Sequence, residues 1–498
     1  MRRRLCLASA ALVAAPAWVR HGRAADVPRF ALGVASGHPR PDRVVLWTRL
    51  VGDELPASVA VQWELAHDEG FTRIAARGTE TAEAAWAHSV HAEPAALEPG
   101  RGYWYRFEAL GQRSRAGHTR TAPAPDAEAT LRLAIASCQR WDHGHYAAWR
   151  ALAADPPDLV AFLGDYIYEY PSPPFALRRH DGGLLRTLEQ YRARYAQYKS
   201  DPALQDAHAA CPWLVTWDDH EVENDYAGTQ PTTPLGADMA AVRAAAFQAA
   251  WEHQPFPKAL RPRGMDMRVV SRFDWGRLAR LHLLDLRQYR DVQACPPPLR
   301  TSGSRVVHPR DCAALQDPAR SLLGAEQERW LAEGWDLARP WNLLLQQTLM
   351  ARFTGPDGST WTDGWDGYPA ARARLLRTVS ERRVNGVVVL GGDVHAHHVA
   401  DLRVDADDPR APVVASEFCG SSISSRGRSQ QAMDAARAVH PHMHLARADQ
   451  RGIMGFEIGP RQLLARVMAV QQPDDPASAV QESARFVVEA ARPGPQRA

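Results

Sequence analysis

The chain lacks any uncharged apolar run long enough to cross a bilayer as a permanent anchor, which argues against an integral membrane protein. It lacks a basic surplus, the usual footprint of a nucleic-acid-binding protein: the formal net charge is only +2. No Gly-rich loop of the phosphate-cradling kind occurs, which excludes a mononucleotide or dinucleotide enzyme of that type. The Ser-rich tract SSISS (421–425) has no Gly-x-Ser-x-Gly elbow near it, so a Ser-His-Asp hydrolase is unsupported. Cysteine is sparse, with six in 498 residues. Cys295 and Cys312 flank a loop rich in Pro, Ser and Arg and are expected to pair if the chain reaches an oxidising compartment. Cys211 and Cys419 sit among apolar or small residues and read as buried bystanders. What is present, 45% apolar and 23% charged residues, is ordinary for a globular protein with a sizeable core.

The first 25 residues stand apart. Arg2, Arg3 and Arg4 precede an uncharged Ala-rich run from Leu5 to Trp18, and small residues close the segment at Ala24 and Ala25. A basic start, a short apolar run and a small-residue end predict a signal peptide at 1–25, and the paired arginines before Leu5 predict the twin-arginine route, with a periplasmic or secreted destination. Removing its five arginines leaves 54 basic residues against 57 acidic ones, a net charge of −3.

Residues 26–125 read as all-β. VVLWTRL (44–50), VAVQWELA (59–66) and YWYRFEAL (103–110) are rich in Val, Trp, Tyr and Phe and partly alternate, with turn signals between them. Leu97, Pro99, Gly100, Tyr103 and Tyr105 suggest the tyrosine corner of an immunoglobulin-like or fibronectin-like sandwich. The linker Thr121–Asp126, with two prolines, marks a boundary. From 126 to 498 apolar strands alternate with helical stretches, which predicts a layered α/β domain. The tail from Arg492 reads as frayed.

The predicted strands of this second region end on chemistry-bearing residues. LRLAIAS (131–137) runs into Cys138, and DLVAFLG (158–164) into Asp165, with Tyr168 three residues on. WLVTW (213–217) runs into Asp218, Asp219 and His220, and NGVVVLGG (385–392) into Asp393 and His395. Taken singly each has a bland reading: a core cysteine, a turn aspartate, a packing tyrosine, a solvated cap. Together they place acidic and soft side chains along what reads as one edge of one sheet, where open α/β sheets bind their ligands. Clustered carboxylates repel one another unless a cation lies among them.

The motifs ASCQR (136–140), FLGDYIYEY (162–170), TWDDHEVENDYAG (216–228), LDLRQYRD (284–291), DGWDGYPAAR (363–372) and LGGDVHAHH (390–398) resemble those of the alkaline phosphatase D family of metallophosphoesterases. The resemblance implies a calcineurin-like catalytic fold behind the β-sandwich, and an exported phosphatase or phosphodiesterase acting on small phosphate esters. It also implies roles. Asp165 and Tyr168 match a bridging carboxylate and a tyrosinate, and Cys138 stands where related enzymes use Asp. Asp219 replaces the Asn of a Gly-Asn-His motif, with Asp218 as its alternative, and Asp393 replaces the first His of Gly-His-x-His. The implied centre is iron held by Cys138, Asp165, Tyr168 and His395, beside calcium held by Asp165, Asp219 and Asp393, since all-oxygen ligation suits calcium. Asn224 is a further candidate near it. Two such cations would lower the pKa of a water and neutralise charge on the phosphate. His220 would protonate the leaving oxygen, Arg140 would clamp the phosphate, and Glu221 would support rather than react. Arg287, Arg290 and Asp366 fall in these motifs without an assigned role. Two alternatives stand beside this reading: a phospholipase D-type phosphodiesterase, and a non-catalytic surface protein that only holds calcium. Cys138 and Tyr168 count against the second, because a structural calcium site needs neither.

Overall fold

A computed structural model describes residues 28–232 and 238–498; the segment read as a signal peptide lies outside the described residues. Among them no helix is long and apolar enough to cross a membrane.

Two sheets pack face to face. The first has ten strands, and at its centre Leu131–Ala136, Leu159–Leu163 and Trp213–Thr216 run parallel. The second has seven, with Ala279–Leu283, Trp341–Leu345, Val387–Gly391 and Val413–Cys419 parallel at its centre. The strand LVAFL has no polar position because both its faces are covered. Leu159, Ala161 and Leu163 pack with Leu343, Leu345, Val388 and Leu390 of the facing sheet, while Val160 and Phe162 point the other way, into the helices. Helices Ala147–Ala154, Leu188–Lys199, Pro202–Ala210 and Met239–His253 cover the outside of the first sheet. Helices Ala325–Glu333, Pro369–Glu381 and Gln430–Arg437 cover the second. The result is a helix–sheet–sheet–helix stack.

Two expectations need correction, and the structure adds a connection that the sequence does not show. The candidate strand ends do not lie on one sheet: Asp393 and His395 follow a strand of the second sheet, so the site sits at the rim where both sheets end. The N-terminal β region also contributes to the large sheet. Its strands Val34–Arg40, Arg43–Arg49 and Ser89–Ala92 complete the ten-stranded sheet, and only Ser58–Ala66, Ile74–Glu83, Gly102–Ala109, Gln112–Arg113 and Gly117–Arg120 form a separate layer, packed on them through Val44, Leu46, Trp63, Leu65 and Tyr105. The tail is not frayed: Arg492–Arg497 pairs with Val480–Glu489, and the Gly494 N–H donates to Ser416 Oγ at 2.9 Å. Its prolines are tolerated because the strand is at an edge. The expected tie between Cys295 and Cys312 is present as a disulfide closing a 17-residue separation.

The seam between the N-terminal strands and the catalytic sheet is made at Gly37, which pairs with Trp213. A Cβ there would lie 2.6 Å from the Trp213 carbonyl oxygen and 2.9 Å from that of Pro255. Gly37→Ala therefore overpacks a backbone seam and is expected to cost about 1–3 kcal/mol in urea unfolding. Gly455→Ala, where a Cβ meets nothing within 4 Å, should stay within about 0.5 kcal/mol of the parent. Equal midpoints for both variants would contradict the seam.

Candidate metal centre

Each strand end turns sharply onto a side chain. Gly164, at φ +104°, lets the chain pass Asp218, whose Cβ would stand 2.4 Å from a Cβ at 164. The next residue, Asp165, is itself left-handed at φ 59°, as are Cys138 at 57°, Asp393 at 64° and His395 at 52°. Non-glycine residues in that region cost of order 1–3 kcal/mol each and persist only where the surroundings over-determine them. Here the surroundings are backbone ties: Cys138 N–H donates to the Gly164 carbonyl at 3.0 Å and Gln139 N–H to that of Asp165 at 3.1 Å.

The turns converge. Cys138, Asp165 and His395 bring Sγ, a carboxylate oxygen and a ring nitrogen within 4.8 Å of one another. Tyr168 Oη donates to Asp165 Oδ2 at 2.8 Å and lies 3.2 Å from His395 Nε2. His395 Nδ1 faces the Arg426 carbonyl at 2.9 Å, which directs Nε2 inward, and burial holds the ring neutral, its pKa lowered to about 3. Burial raises the Cys138 thiol and the Tyr168 phenol, and Asp165 raises both further. Asp165 Oδ1 and Asp393 Oδ2 are buried with no hydrogen-bond partner among the described residues. Burial pushes Asp165 well up and Asp393 to about 7. A soft thiol, a phenol, a neutral imidazole and orphaned carboxylate oxygens around one point are a donor set that fits metal ions, and a cation would reverse the upward shifts of the thiol, phenol and carboxylates while keeping the imidazole neutral.

Asp219 and Asp218, left as alternatives, part company. Asp218 is turned onto Arg287, whose Nε donates to its Oδ1. Asp219 lies with Asp165 and His220 in a second group within 4.8 Å, and with Asp225 and Asp363 in a third. Burial alone would raise Asp219, but Arg287 and His220 outweigh it and hold it low. Asn224 lines the same cavity. His220 Nδ1 is 2.7 Å from Glu169 Oε2, and its ring lies 4.1 Å from that of Tyr168. Burial opposes its positive form, yet Glu169, Asp165 and Asp219 together raise it well above the ordinary imidazole value. Glu221 accepts from the N–H groups of Asp165, Tyr166 and Asp218, clamping two strand ends. Arg140 Nε and Nη2 are committed to Asp142, and the guanidinium sits 5.5 Å from the Tyr168 ring. It does not line the cavity in front of the centre, whereas Arg426 and Arg428 do.

Arg287 and Arg290 both bind Asp363, at 2.6 and 2.7 Å, and Asp366 accepts from Arg372 and from Phe353 N–H. Sequence reasoning passed over Glu169, Asp363 and Ser425. Glu169 is a charge inside a buried aromatic run, which is a signal in itself. Ser425, in the tract SSISS, has its Oγ 2.8 Å from both Tyr168 Oη and the Cys138 carbonyl, and nothing local marks it.

Residues 133–467 match the family model "PhoD-like phosphatase", and residues 14–123 match "PhoD-like phosphatase, N-terminal domain". The chain is 41% identical over 478 residues to alkaline phosphatase D of Bacillus subtilis (strain 168), covering 92% of this chain and 80% of that one. It superposes on the solved structure of PhoD with a TM-score of 0.89 at 39% identity, covering 95% and 92% of the two chains. Against a purple acid phosphatase from yellow lupin seeds the TM-score is 0.58 at 12% identity, with 92% and 74% covered, a likeness of fold alone.

Glu221→Ala strips three backbone N–H groups of their acceptor. It is expected to lower metal content and activity about 10–100-fold and stability by about 2 kcal/mol, read by elemental analysis and urea unfolding. Full metal retention would show that the clamp does not position the centre.

Proposed function

Because the chain belongs to the PhoD-like phosphatase family, a family of phosphoester hydrolases, we propose that it hydrolyses phosphate esters with water activated at a mixed iron–calcium centre. The observation that carries this is the convergence of Cys138, Tyr168 and His395 on the orphaned carboxylate of Asp165. In this reading Cys138, Asp165, Tyr168 and His395 hold iron, and Asp165, Asp219 and Asp393 hold calcium. Such metals, when bound, would lower the pKa of a water and neutralise charge on the phosphate.

The chain's own residues do the rest. Arg426 and Arg428 at the mouth attract the anion. Arg140, fixed by Asp142 beside Tyr168, adds positive potential behind the phosphate. His220, oriented by Glu169, is the group placed to protonate the leaving oxygen. Membership of a hydrolase family removes the reading as a non-catalytic calcium holder. No feature of the described residues singles out a phospholipid among phosphate esters.

The protein is further proposed to be exported after removal of residues 1–25 and to act in the periplasm or medium. The basic and apolar start and the disulfide Cys295–Cys312 support this. The division into a β unit at 26–125 and a catalytic unit at 126–498 is supported by the break between the two family matches. An immunoglobulin-like or fibronectin-like character for the β unit is supported by the Glu98 N–H, which donates to Tyr103 Oη at 3.0 Å as in a tyrosine corner.

Elemental analysis of the mature protein and of Cys138→Ala, with assays on p-nitrophenyl and bis-p-nitrophenyl phosphate with and without calcium, tests the centre. Iron in the parent should be lost in the variant together with activity, by about 100-fold or more. Calcium without iron, and hydrolysis of neither ester, would overturn it.

A further inference from the structure

The cavity in front of the centre has a volume of about 430 Å³, in the range that holds a drug-sized molecule rather than a phosphate group alone. Its walls are of two kinds. The charged and imidazole lining includes Asp165, Asp219, Asp393, His220 and His395. The apolar lining includes Leu349, Ala351, Phe353, Trp361, Trp365 and Met433.

Most of that second wall is core: Leu349, Ala351, Trp365 and Met433 are buried in the cluster under the outer helices. Phe353 and Trp361 are different, being only half-buried while lining the cavity. Both are backed by the fold. The Phe353 ring meets His398 edge-on, with centroids 4.9 Å apart, and lies 5.4 Å from His440. Trp361 lies in the short strand Thr360–Trp361, paired with Val306–Val307. Its ring approaches Gly364, where a Cβ would stand 3.3 Å from Cζ3. The charged member of this wall, Asp366, has both oxygens engaged, one by Arg372 and one by the Phe353 N–H. Two backed aromatic rings therefore line the opening, and Asp366 beside Phe353 is already paired, so the rings form a surface that gains by covering apolar area.

We propose that this apolar lining is a subsite for a flat apolar substituent, an aryl or comparable ring, carried by the phosphate ester. The proposal rests on the phosphoesterase reading and adds to it which esters are preferred. The phosphoryl oxygens lie toward the charged and imidazole lining, and the ring lies against Phe353 and Trp361. Small or strongly polar alcohols leave those rings uncovered and are selected against.

Phenylphosphonate and methylphosphonate, which present the same anion with and without a ring and have no ester to cleave, test this as competitive inhibitors of p-nitrophenyl phosphate hydrolysis by the metal-loaded enzyme. Titration calorimetry on the same samples gives a readout independent of turnover. Phenylphosphonate should bind about 10-fold tighter or better in the parent. Trp361→Ala and Phe353→Ala should each cut that preference to about 3-fold or less, and Trp361→Phe should retain most of it. Metal content of each variant separates loss of the wall from loss of the centre. Equal affinity for the two phosphonates in the parent, or a preference that survives both alanine variants, overturns the subsite while leaving the phosphoesterase reading intact. A parent enzyme that hydrolyses no phosphate ester overturns both.

Discussion

The buried like charge at the sheet rim is the constraint to which the rest of the structure answers. Asp165, Asp218, Asp219, Glu221 and Asp363 are all buried, and Asp225 and Asp393 complete the group. Two like charges 4 Å apart repel by about 4 kcal/mol at an effective dielectric of 20, so such a cluster cannot stand without compensation. Part of the answer is covalently present: Arg287, almost wholly buried, spans Asp218, Asp219 and Asp363, and Arg290 shares Asp363. These two arginines from the LDLRQYRD motif are charge balance rather than chemistry. They leave Asp165 and Asp393 each with an oxygen that nothing among the described residues satisfies, which makes the rim a candidate place for metal ions.

The second requirement is geometric. The candidate donors reach one point only because strand ends of both sheets converge there, with left-handed backbone at Cys138 and Asp165 after two strands of the first sheet and at Asp393 and His395 after a single strand of the second. The loop after Val413–Cys419 then closes over them: the Arg426 carbonyl faces His395, and Ser425 lies between Tyr168 and the Cys138 carbonyl. Gly427 permits this approach, since a Cβ there would stand 2.5 Å from the His395 carbonyl oxygen. The Ser-rich tract that carries no nucleophile is therefore a strut for the centre.

Much of this was legible in the sequence, for reasons that can be stated. Strands buried on both faces are continuous apolar runs, so LVAFL, WNLLL and VVVLG were visible, and the residues that end them were visible with them. Which sheet each strand joins was not, because an apolar run carries no record of its neighbours; hence the site was placed on one sheet instead of at the junction of two. The N-terminal strands showed their β character through alternation, but nothing in GHPR foretells that Gly37 would dock on Trp213 and fuse that layer to the catalytic sheet. The final strand was hidden by its prolines, which an edge tolerates. Side chains that act by contact across long separations, such as Ser425 on Tyr168, left no local trace.

The spread of the donors along the chain also sets an order of events. Cys138, Asp165, Tyr168 and Asp219 lie in the first half of the polypeptide, Asp393 and His395 in the last third, and the loop that steadies them ends near Gly427. During synthesis the early donors leave the ribosome long before their partners exist. No half-site has the full set, because Asp165 meets His395 only when the second sheet has closed on the first. The full set of candidate donors is thus a property of the finished tertiary structure and of no shorter stretch of the chain.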